Sequence, residues 1–184
     1  MGRRAAGALV YVGYDARPGA REFARLAGKV LAVHGLAVKV SDRHVPTPAL
    51  AWTVARDDRA VGGLMVTGSH SPADYQGIKL RMADGGVGSD DFYEELQRII
   101  DSDPTPARGA IAETDFLTRY LDHLYAMVDT EAIAAAQLRV VYDPLYGSAS
   151  GCFADLLRAM GVDVTEIHGS PDEETDGTHP EPIE

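Results

Sequence analysis

The densest chemistry in this 184-residue chain lies between Met65 and Lys79, M-V-T-G-S-H-S-P-A-D-Y-Q-G-I-K. A short apolar run ends there in Gly68, Ser69, His70, Ser71 and Pro72. If that run is a strand of a parallel sheet, Ser69 stands where such sheets present their reactive groups, at the carboxyl end. Gly68 permits close backbone approach, and Pro72 fixes the direction in which the chain leaves. His70 and Lys79 are polar groups within the same loop, and Ser71 could supply another hydrogen bond. The same composition also describes a plain turn, since Gly, Ser and Pro make turns. The pattern G-S-H-S-P does not match the G-x-S-x-G nucleophile elbow. A serine hydrolase using Ser69 and His70 is disfavoured further because adjacent loop residues rarely orient as nucleophile and base.

Two other stretches carry polar groups at comparable places. Val12 to Arg17, V-G-Y-D-A-R, closes the first apolar run. An arginine at a strand end can grip an anionic group bidentately, although Asp15 and Arg17 taken alone also fit a surface ion pair. Pro46-Thr47-Pro48 is a rigid turn into a helix.

The elements that must position these groups alternate between short apolar runs and helical periods. Strands are expected at Ala8–Gly13, Leu36–Val40, Val61–Thr67 and Gly77–Met82. Helices are expected between Gly19 and His34, with Phe23, Leu26, Ala27, Val30 and Leu31 at helical spacing, and over Pro48–Arg56. A third helix follows a Ser89 cap to Ile100, and a fourth covers Asp115–Val128. Gly35 is a stop signal for the first of them. The stretch from Asp103 to Thr114 holds two prolines and a glycine, and suits a linker or an edge segment. A second unit begins at Leu138–Tyr142, passes through the Gly/Ser loop Asp143–Ser150 and a helix over Cys152–Met160, and returns as Val162–Ile167. The expectation is a three-layer α/β/α domain over residues 1–130, with a four-stranded, mixed but mostly parallel sheet. An incomplete second α/β domain follows over residues 131–184.

Composition narrows the partners. The net charge is −11, but six of the acids lie in the last sixteen residues, which contain no Lys or Arg. Without a basic stripe, a nucleic-acid partner is not expected. A lone cysteine, Cys152, excludes an internal disulfide, and no apolar run approaches the length of a membrane span. These features, with a poor signal sequence at the N-terminus, suggest a cytoplasmic protein.

The three polar stretches, in this order, resemble the α-D-phosphohexomutase family of phosphoglucomutases and phosphomannomutases. The family's loop T-A-S-H-N-P, then Y-N-G-x-K, is similar to Thr67–Pro72 followed by Tyr75–Lys79. Its V-G-x-D-x-R matches Val12–Arg17, and its P-T-P matches Pro46–Pro48. The likeness extends through Asp115–Asp129 to Val140–Ser150, and His179–Pro182 resembles the segment ahead of the family's metal loop. The resemblance implies a phosphoserine at Ser69 that exchanges its phosphoryl group with a hexose monophosphate through a hexose bisphosphate. It implies His70 and Lys79 as the groups that stabilise charge and handle protons. Arg17 and Ser71 would lie near phosphate, and a Mg²⁺ would take one ligand from the phosphorylated Ser69.

This chain departs from the family pattern at Gly68, Ser71 and Gln76, where Ala, Asn and Asn are usual. The family's D-G-D-x-D-R metal loop, sugar-recognition loop and C-terminal phosphate-binding domain have no counterpart in the sequence. Two readings stay open: an N-terminal piece of a mutase, with little activity alone, or a non-catalytic binding or assembly module built on the mutase first domain. An incomplete second sheet would expose an edge and predicts self-association. Asp143, Gly147 and Cys152 suit structural roles.

Overall fold

A computed structural model of the chain describes residues 7–72, 74–99 and 109–170. The basic N-terminal residues, most of the proline-bearing stretch after Ile100 and the acidic segment containing His179 lie outside them. The first unit runs β1 (Leu9–Tyr14), α1 (Ala20–Val33), β2 (Ala37–Ser41), α2 (Thr47–Ala55), β3 (Ala60–Val66), β4 (Ile78–Met82), α3 (Asp90–Ile99), β5 (Ile111–Thr114), α4 (Leu117–Met127) and α5 (Thr130–Ala135). The second comprises β6 (Arg139–Tyr142), α6 (Cys152–Ala159) and β7 (Asp163–Glu166).

The large sheet has the order β4-β3-β1-β2-β5. β1 pairs in parallel with β2 and β3, and β2 with β5, while β4 is antiparallel to β3. The sheet is therefore mixed and mostly parallel, but it has five strands rather than the expected four. The additional strand, β5, lies at the edge, within the segment whose prolines suited a linker. Its four residues, I-A-E-T, are mostly exposed, so they leave no apolar alternation to find. The short α5 is also additional, and is capped by the Asp129 carboxylate accepting from the Ala132 N–H at 2.9 Å. The expected Ser89 cap is present, its hydroxyl accepting from the Phe92 N–H at 3.3 Å.

Period-2 alternation along β1 separates two cores. Leu9 and Tyr11 join Val45, Leu50, Val54, Met65, Phe116 and Leu117 on the α2–α4 face. Val12 and Tyr14 join Ala20, Ala24, Ala32, Val38 and Val40 on the α1 face. This produces three layers, helix on sheet on helices. The face that α1 buries corrects the sequence pattern: Ala20, Ala24, Gly28 and Ala32 go inward, while Phe23, Leu26 and Val30 are about half exposed. Small residues win because they let the helix axis approach the sheet. A Cβ at Gly28 would lie 2.9 Å from both Val40 Cγ2 and Ile111 Cδ1.

One polar network crosses the α2–α4 core. Tyr11 Oη donates to Asp57 Oδ2 at 2.9 Å, and Arg59 grips the same carboxylate with Nε and Nη2. Burial, then the Asp57 contact, pushes the Tyr11 phenol up to about 12. Asp57 is held well below the usual carboxylate range, chiefly by Arg59 and then by Tyr11. The phenol favours its protonated form in the folded state. Its stabilising contribution is whole below about pH 10 and is lost as the pH rises towards 12. Asp57 contributes above the ordinary carboxylate pKa and loses its contribution as the pH falls below that and through its own depressed value. Urea unfolding of wild type and Tyr11→Phe should show the stability gap between them closing above about pH 10. A gap independent of alkaline pH would contradict this.

In the second unit β6 and β7 pair in parallel, with α6 between them in the chain. Val141 of β6 and Ile167, just after β7, remain exposed.

Candidate active site

The site forms where β1, β3 and β4 present neighbouring ends. β3 stops at Val66, and the Thr67 N–H donates to the Gly77 carbonyl at 2.9 Å, closing the loop onto the start of β4. Thr67 Oγ1 accepts from the Ser69 N–H at 3.0 Å, the side-chain turn that a threonine two residues ahead provides. Ser69 has φ 55°, a left-handed conformation that a non-glycine residue occupies only when its surroundings hold it there. The backbone then folds on itself: the Ser71 N–H donates to the Gly68 carbonyl and the Tyr75 N–H to the Pro72 carbonyl, both at 3.0 Å.

Of the residues expected at the site, Lys79 makes direct contact with the serine. It sits in β4 opposite Met65 of β3, and its Nζ donates to Ser69 Oγ at 2.9 Å. The hydroxyl accepts from an ammonium, so its own proton is directed elsewhere and its lone pair is polarised. His70 is exposed beside Ser69 at the rim of the loop. Ser71 enters through its backbone carbonyl, which accepts from Arg17 Nη2 at 2.5 Å.

Arg17 arrives from the end of β1. Nη1 donates to the carbonyls of Pro72 and, at 3.2 Å, Tyr75. Nη2 donates to the carbonyl of Ser69 at 2.9 Å as well as to that of Ser71. Its Nε lies 3.2 Å from Asp15 Oδ2, with both side chains about nine-tenths buried. The ion pair open in the sequence is thus present, and it forms part of the loop's support. Gln76 adds a second stitch, its Nε2 donating to the Pro18 carbonyl at 3.0 Å. The sequence alone singled out neither Thr67 nor Asp15 as a support. A hydroxyl or carboxylate two residues ahead of a strand-end N–H is the signal that could have found them.

Pro46 caps α2 in extended conformation, and the Val45 N–H donates to the Tyr14 carbonyl at 2.9 Å, tying this turn to the end of β1. A cavity of about 350 Å³ opens beside it, lined by Tyr14, Asp15, Arg17, Arg21, Glu22 and His44. Among the described residues, no group of three or more His, Cys, Asp or Glu side chains could hold a metal ion. No helix among them is long and apolar enough to cross a membrane. In the second unit the Asp143 carboxylate accepts from the Leu145 N–H at 2.9 Å and lies 3.0 Å from His168 Nδ1, contacts that lower its pKa. Burial raises the Cys152 thiol, whose Sγ lies 3.3 Å from the Ala149 carbonyl.

Residues 1–106 match the family model of the phosphoglucomutase/phosphomannomutase alpha/beta/alpha domain I, and residues 118–184 match that of domain II. A phosphoglucosamine mutase of Frankia alni is 37% identical over 174 residues, covering 89% of this chain and 36% of the relative. A phosphoglucomutase of Staphylococcus aureus is 30% identical over 178 residues, covering 89% and 32%. The chain thus spans about a third of the length of the curated relatives it matches. A crystal structure from Thermus thermophilus, assigned as a phosphomannomutase, superimposes with a TM-score of 0.86 at 32% identity. That superposition covers 96% of this chain and 41% of the other. By sequence and by fold, this chain belongs to the phosphoglucomutase/phosphomannomutase family.

Proposed function

We propose that the chain carries the phosphoryl-accepting serine of a hexose-phosphate mutase, with Ser69 cycling between hydroxyl and phosphoserine. The observation that carries this reading is the Lys79 ammonium 2.9 Å from an exposed Ser69 Oγ on a loop held in a left-handed turn. Phosphoryl transfer is mostly positioning and charge stabilisation, and this geometry supplies both. When a phosphoryl group leaves Ser69 for a sugar hydroxyl, the P–Oγ bond breaks and negative charge grows on Oγ. Lys79 is placed to stabilise that charge, and the acceptor hydroxyl's proton passes to a neighbouring base, for which His70 is the nearest candidate in sequence. The reverse step phosphorylates Ser69 from a hexose bisphosphate. The proposed substrates are accordingly hexose monophosphates and bisphosphates.

The family resemblance implies a Mg²⁺ bound partly through a phosphate on Ser69. The described residues offer no acidic cluster to complete such a site, so they do not by themselves fit the ion.

Incubating the purified chain with glucose 1,6-bisphosphate should add one phosphoryl group by intact-mass spectrometry, located on Ser69 by peptide mapping and absent from Ser69→Ala. A chain that is never phosphorylated, as isolated or after incubation, would favour the non-catalytic module.

A further inference from the structure

Arg17 suits a phosphate ligand by residue type, but its partners assign it another task. A guanidinium has five N–H donors in a fixed planar fork. Here the four terminal ones are directed at carbonyls of the Ser69 loop, those of Ser69, Ser71, Pro72 and Tyr75, and Nε faces Asp15. Turning the fork towards a phosphate would strip hydrogen bonds from these carbonyls, the one to Ser71 partly buried, at a cost that a phosphate contact must first overcome.

Gly68 explains how the fork fits. A Cβ built on Gly68 would lie 2.6 Å from Arg17 Cζ and 2.5 Å from the Tyr75 carbonyl oxygen. The guanidinium therefore rests directly on this glycine, and any larger residue must displace it or the Tyr75 backbone. Gln76 Nε2 donates to the carbonyl of Pro18, the residue after Arg17, at 3.0 Å. Two of the three positions where the chain departs from its family's usual loop, Gly68 and Gln76, thus bear with their own side of the chain on the Arg17–Pro18 segment.

We infer that Arg17 is a positioning residue, with Gly68 as its seat. It holds the loop closed through its own carbonyls and so keeps Ser69 in the left-handed turn that aims Oγ at Lys79, which leaves Lys79 as the cation facing the transferred phosphoryl group. The kinetic consequence rests on the reading of Ser69 as the phosphoryl acceptor, while the structural consequence does not.

The test uses the full chain with Arg17→Ala, Arg17→Lys and Gly68→Ala, and two readouts. Hydrogen exchange of the peptide carrying the Ser71 and Tyr75 amides should be faster in all three variants, with β1 and β3 peptides protected as in wild type. Phosphoryl uptake from glucose 1,6-bisphosphate should lose about 100-fold in maximal rate, the scale of a misplaced reacting group. The half-saturating concentration should stay within about twofold, the signature of lost positioning rather than lost binding. Free guanidinium ion should restore part of the rate to Arg17→Ala. Lysine should not substitute, because one ammonium cannot span four carbonyls. Unchanged loop exchange in Arg17→Ala, or a kept maximal rate with a raised half-saturating concentration, overturns the inference in favour of a phosphate ligand. If wild type takes up no phosphoryl group, the phosphoserine reading fails, and the exchange measurement alone decides the role of Arg17.

Discussion

Replacing Lys79 by Met should lower the maximal rate of phosphoryl uptake at Ser69 by about 10²–10³-fold, the cost of removing one preorganised donor at a developing oxyanion. Lys79 reaches across from β4 to Ser69 Oγ at 2.9 Å, and its backbone is fixed by pairing with Met65. Methionine keeps most of the apolar stem and removes only the charged donor, so the strand pairing should survive. The loss should appear mainly in the rate, because the partial negative charge on Oγ that Lys79 meets belongs to the transition state, which uptake and release share, and is small on the resting hydroxyl. Rapid-quench sampling followed by mass spectrometry measures it directly. A rate within about threefold of wild type would mean that the ammonium contributes little beyond ground-state contact.

The largest effect on stability should come from Phe116→Ala, at about 3–5 kcal/mol, the usual range for truncating a buried phenylalanine. Phe116 is 1% exposed and meets the Tyr11 ring edge-on, with centroids 5.5 Å apart. It immediately precedes α4 and drives that helix's first turn into the core shared by β1 and α2. Its loss leaves a cavity at the junction of three elements, and also strips packing from the phenol that Asp57 holds. Urea unfolding with unchanged slope and a lower midpoint is the expected result. A loss below about 1 kcal/mol would show that α4 contributes little to the cooperative unit.

Much of this arrangement was legible in the residues. The strand ends expected at Gly13, Val40 and Thr67 lie within one residue of the observed ends at Tyr14, Ser41 and Val66, because a short apolar run stopped by polar or turn residues is a local signal. The serine loop was visible for the same reason: Gly68, Ser69 and Pro72 interrupt an apolar strand within a few residues. What failed were judgements that needed to know the neighbour. Phe23, Leu26 and Val30 have the greater apolarity, yet α1 buries Ala20, Ala24, Gly28 and Ala32, because the space above β2 and β5 admits small residues only. Strand β5 carries too few apolar residues to announce itself, and exists because the edge of β2 offers it hydrogen bonds.

The sequence by itself determined the order of strands and helices apart from β5 and α5, the family likeness, and the place of Ser69 just past the carboxyl end of a buried strand, since each rests on contiguous residues. Tertiary structure alone decided what surrounds that serine. Arg17 is 52 residues from Ser69 in the chain, and it grips the serine's carbonyl only because β1 and β3 are neighbours in the sheet. Lys79 meets Oγ because β4 turns back antiparallel beside β3. An arginine in a list of residues has five donors and no direction. The packing of two strands directs four of those donors at the carbonyls of Ser69, Ser71, Pro72 and Tyr75.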